Sequence, residues 1–221
     1  MSGQHTPESR PNNERHVAKA LVSLASGELI GKLAMLVTLA WSARVIGVEA
    51  FGVFVFGMGL GVLVATIPSL APTARMIQLV GRRTDTVGVR VAALLTLRLC
   101  FMVPAAIVAV FFILPRSQEI DRWALGLLVA SCLFDSLAKV WWSACIALDR
   151  QPVTAAVLVG QRLTTLGLVG IALVVAPSAA SVAAAFAVAS ALAMIAMAWV
   201  ARRYGGSANF RQMKGEHVRE L

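Results

Sequence analysis

Apolar residues along this chain gather into stretches too long for any water-facing element. In a soluble helix polar positions recur with a period near 3.6 residues, and in a half-buried strand they alternate. Neither rhythm holds here: six stretches of 20 residues or more, at 20–43, 50–70, 91–114, 123–148, 153–176 and 182–201, are almost uninterrupted. The hydrocarbon core of a bilayer is about 30 Å thick, which a helix rising about 1.5 Å per residue crosses in about 20 residues. Each stretch is therefore predicted as a transmembrane helix, and the chain as an all-α, polytopic membrane protein. A membrane barrel would instead show alternating segments of about 10 residues. Connectors such as GRRTDTVG at 81–88 and LPRSQEIDR at 114–122 carry the turn and charged residues. Tails at 1–19 and 202–221 complete the expected organisation and leave no room for a soluble domain.

Composition agrees and removes alternatives. The chain is 58% hydrophobic and 14% charged, where soluble domains are about a quarter charged. The formal net charge of +9 would point to nucleic acid if it formed one patch. The expected spans divide it: one side receives thirteen Lys and Arg, among them Arg15, Lys19, Arg82, Arg83, Arg150, Arg202 and Arg203, and the other only Arg44, Arg116 and Arg122. The positive-inside rule then places both termini in the cytoplasm, with membrane lipids and no nucleic acid as partners of the basic tails. The first stretch contains Glu28 and Lys32, which a cleaved signal peptide would not, so it reads as a retained span.

The charges inside the spans carry the candidate chemistry. Lys32, Arg98, Lys139 and Arg162 are accompanied there by Glu28 and Asp135. Each would cost about 2.5–3.5 kcal/mol near the bilayer centre if it faced lipid, so all six are expected to face protein or water. Counted along their spans they lie about 10–20 Å from the cytoplasmic ends, as one layer. Two readings stay open. Glu28 with Lys32 and Asp135 with Lys139 stand at i, i+4 and could neutralise each other on a helix face. Arg98 and Arg162 have no acid at such spacing, which points to a cationic cavity that an anion visits.

Other features are weaker. Gly27 with Gly31 and Gly57 with Gly61 have the GxxxG spacing of close helix packing. Trp141 and Trp142 could stack on a sugar or anchor at the interface. The histidines, His5, His16 and His217, lie in the tails, and Cys100, Cys132 and Cys145 each lie in an apolar stretch as small hydrophobes. The sequence contains no G-x-S-x-G elbow, H-E-x-x-H helix or phosphate loop. No catalytic residue, metal or cofactor is predicted, and the protein is expected not to be an enzyme.

The first 85 residues hold the most specific pattern. Gly31 and Lys32 in the first span lead to a turn with Ala43, Arg44, Gly47, Phe51, Gly52 and Phe54, in the order A-R-x-x-G-x-x-x-F-G-x-F. This resembles the start of the polysaccharide-biosynthesis and O-antigen flippases, the lipid-linked oligosaccharide translocases of the multidrug, oligosaccharidyl-lipid and polysaccharide exporter superfamily. Leu148 to Gln151 and Arg162 are similar to later positions of that family. The resemblance implies one six-helix lobe of a two-lobe fold in the bacterial inner membrane. It implies polyprenyl-diphosphate-linked oligosaccharide as substrate and a second six-helix lobe, from another copy or another polypeptide, as partner. Taken with the layer of charges inside the spans, it points to Lys32, Arg98, Arg162 and Lys139 as the substrate-facing cations. The alternative is a non-transporting membrane scaffold, or an inactive half-length remnant, in a polysaccharide-assembly complex.

Overall fold

A computed structural model describes the backbone of residues 10–70, 87–115, 119–148, 150–204 and 208–209, with side chains from residue 29 onward except Ile120. The elements are α1 (Arg10–Ser69), α2 (Val87–Ile113), α3 (Glu119–Ala147), α4 (Gln151–Val175) and α5 (Ala179–Arg203), with no strand among the described residues. All five are long and apolar enough to cross a membrane. Their outer faces carry large apolar side chains, Phe111 at 73% exposure and Val174 at 78% among them, which lipid tolerates and water would not. The chain is an all-helical, multi-pass membrane protein.

Five helices stand where six spans are expected, because the first two expected spans fall within α1. That helix is interrupted at Gly47 (φ 81°, ψ 169°). Neighbours on either side of the break reveal its consequence. Before it, Gly31 lies against the Arg162 side chain and Trp41 against Gly170, so α1 runs in the direction of α4. After it, Gly57 lies against Leu125 and Leu128, Gly61 against Leu128 and Cys132, and Ser69 comes within 3.5 Å of Ser136, so α1 now runs with α3. Because α3 and α4 are antiparallel, pairing Asp135 with Gln161, the chain doubles back at Gly47.

Only glycine occupies that backbone region without strain. No atom lies within 4 Å of where a Cβ would sit at Gly47, so Gly47→Ala isolates the backbone term. It should cost about 1–3 kcal/mol, read as a lower melting temperature in detergent. Gly52→Ala, also uncrowded and with an ordinary φ, should melt with the wild type.

Close packing holds the returning limb in place. A Cβ at Gly57 would lie 2.6 Å from the Leu128 side chain, and one at Gly61 would lie 2.7 Å from Cys132 Sγ and 3.1 Å from the Leu128 carbonyl oxygen. The glycines at GxxxG spacing thus seat α1 on α3. Near the reversal, Phe54, Leu128, Val169, Leu173, Val182 and Phe186 form the main apolar cluster, with the Phe54 and Phe186 rings 5.3 Å apart. Toward the opposite end Cys145, Met197, Val200 and Ala201 pack with Trp141 and Trp142. Cys145 is buried as expected of a small hydrophobe, whereas Cys100 is exposed on the outer face of α2. Between α4 and α5 the chain turns in a few residues, since Ser178 and Ser181 cap α5 reciprocally: the Ser181 amide donates to Ser178 Oγ at 3.1 Å and the Ser178 amide to Ser181 Oγ at 3.3 Å.

Candidate functional site: a fissure between α3 and α4

Helix α5 packs along both α3 and α4, but those two touch each other little. The separation leaves a cavity of about 160 Å³ between the two apolar clusters. Asp135 and Lys139 line it from α3, and Thr154, Gln161 and Arg162 from α4; Trp142 and Met197 supply apolar wall. Thr154 and Gln161 stand seven residues apart, two helical turns, so that both reach the same side of α4 as Arg162.

Hydrogen bonding sets the electrostatics. Gln161 Nε2 donates to Asp135 Oδ1 at 2.8 Å, bridging the fissure. The Asp135 carboxylate is thus engaged by a neutral amide, and among the described residues neither Lys139 nor Arg162 forms an ion pair. The helical spacing of Asp135 and Lys139 makes such a pair possible without requiring it. With one acid and two bases among the described residues, the wall carries a net positive charge. Arg162 enters beside Gly31, where a Cβ would lie 3.2 Å from Arg162 Cγ. The bare backbone of α1 therefore makes room for the arginine stem.

The other predicted residues lie elsewhere. Lys32 is exposed and borders a separate groove with Met35, Leu36, Leu39 and Phe51. Arg98 is 1% exposed and sits in the seam of α2 with α3, where its Nη1 donates to the Ser136 carbonyl and approaches Ser136 Oγ at 3.4 Å. Of the six intramembrane charges the structure brings Asp135, Lys139 and Arg162 together and sets Lys32 and Arg98 apart. Glu28 lies within the backbone of α1, and its side chain lies outside the described residues, as do Arg75, Arg82 and Arg83. The turn motif clusters at the reversal: Arg44, Gly47 and Gly52 are exposed, and Phe51 stacks on Phe54 with centroids 6.0 Å apart.

Two lining residues, Thr154 and Gln161, escape a census of charges because they are neutral. The available signal is their seven-residue spacing beside Arg162, in a helix whose other polar side chains are Gln151, Thr164 and Thr165. In comparisons with protein-family models, curated proteins and solved structures, nothing matches this chain.

Proposed function

We propose that this chain forms a six-crossing lobe of a flippase that moves polyprenyl-diphosphate-linked oligosaccharide across the bacterial inner membrane, with both termini in the cytoplasm. The observation that carries the reading is the cavity in which Lys139 and Arg162 face a common space while Asp135 is occupied by Gln161. Lys139, exposed, and Arg162, half-buried, border this space without an ion pair among the described residues, which suits an anionic ligand, and the planar donor fork of Arg162 suits phosphate oxygens. The hairpin at Gly47 supports six crossings, since both limbs of α1 then traverse the bilayer. Alternating access needs a facing set of helices, so a second lobe, on the same polypeptide or another, completes the path. The protein's task on this reading is transport rather than bond making.

Translocation tests this directly. Purified protein, with any lobe that accompanies it, is reconstituted into vesicles carrying a fluorescent diphosphate-linked glycolipid in one leaflet. Transfer to the other leaflet should exceed that in protein-free vesicles. Binding of the lipid without accelerated transfer would favour the non-transporting scaffold, and neither binding nor transfer would defeat both readings.

A further inference from the structure

The outer face of α5 carries a pattern that the fissure does not use. Leu192, Ile195, Trp199 and Arg203 stand at i, i+3, i+7 and i+11, which places them within one narrow stripe of the helix. The first three are 50%, 59% and 61% exposed, and the Arg203 guanidinium lies over the Trp199 ring at 5.6 Å. Where α5 ends, α4 begins, and Arg150 from that corner lies over the Tyr204 ring at 4.8 Å. Arg150, Arg202 and Arg203 are all exposed, and none of their side chains makes an ion pair or hydrogen bond among the described residues. In the sequence Asp149 directly precedes Arg150.

From this arrangement we infer a binding site for an anionic phospholipid on the outer face of α5. The acyl chain lies along Leu192, Ile195 and Trp199, and the headgroup phosphate meets Arg203, with Arg150 and Arg202 adding positive charge. The stripe spans eleven residues, or about 16 Å of helix, which matches the reach of an acyl chain below its headgroup. Stacking restrains Arg150 and Arg203 without consuming their N–H donors, so less side-chain freedom is lost when phosphate arrives. The carbonyl end of α5 repels an anion, so binding rests on the guanidinium groups. A free phosphate would use the arginines alone; the apolar stripe leading to them is what selects a lipid.

Native mass spectrometry of the full chain tests the site, comparing phosphatidylglycerol with phosphatidylcholine of identical acyl chains. Wild-type protein should retain the anionic lipid at least about fivefold more. The double variant R150Q/R203Q should lose that preference, and R150K/R203K should keep most of it. The cavity variant R162Q should keep it fully, which separates this site from the fissure. Equal retention of both lipids by the wild type would overturn the inference, and so would an undiminished preference in R150Q/R203Q. Displacement of the lipid by millimolar inorganic phosphate would also overturn it, by identifying a site for the free anion.

Discussion

Arg98→Ala should destabilise the protein by about 2–5 kcal/mol, the range for truncating a long core side chain, whereas Arg98→Met should stay within about 1.5 kcal/mol of the wild type. Arg98 is the largest of the fully buried side chains, 1% exposed in the seam of α2 with α3. Alanine would leave a void there. Methionine fills most of the space of the arginine stem and removes a buried charge, an exchange that is often neutral or stabilising because the cost of desolvating the ion disappears with it. The bond from Arg98 to the Ser136 carbonyl is lost in both variants, so their difference reports packing. Thermal melting in one detergent decides: an Arg98→Ala protein that melts with the wild type would defeat the packing role. Arg98 does not line the fissure, so Arg98→Met should bind a diphosphate lipid as the wild type does. Loss of binding in that folded variant would return Arg98 to the substrate-facing set.

Much of the fold was legible because a membrane imposes a length. The stretches at 91–114, 123–148, 153–176 and 182–201 overlap α2, α3, α4 and α5, although α2 begins earlier, at Val87. Its first turn is held by tertiary burial of Val87, Val89 and Arg90, which a hydropathy scan cannot register. The glycine pair at Gly57 and Gly61 was legible as a packing face, since close approach requires small residues at that spacing. The site was less legible. Charge and depth single out Asp135, Lys139 and Arg162, yet they do so equally for Lys32 and Arg98. Which of them meet depends on how far each helix is rotated about its axis, and Gly31 and Ser136 fix that by contacts between helices. The i, i+4 spacing of Asp135 and Lys139 shows only that they share a face. Their partners are chosen across the fissure, where Gln161 takes the carboxylate.

Arg162→Gln should weaken binding of a polyprenyl diphosphate by about 10- to 100-fold, since a hydrogen bond to a charged group contributes about 1.5–3 kcal/mol. Lysine at the same position keeps the charge and loses the two-pronged geometry, so Arg162→Lys should fall between the two. Neither change should lower the melting temperature, because Arg162 is not held in an ion pair among the described residues. Lys139 contributes the second cation to the same space, and removing both reverses the sign of the wall, leaving Asp135 as its only charge among the described residues. The most direct test is therefore a calorimetric titration of polyprenyl diphosphate into detergent-solubilised wild type and K139Q/R162Q, with the uncharged polyprenyl alcohol as control. Saturable binding of the diphosphate but not the alcohol, weakened at least about 100-fold in the double variant, is the result predicted. Undiminished binding in a folded K139Q/R162Q protein, or equal binding of the alcohol by the wild type, would contradict the anion-binding fissure.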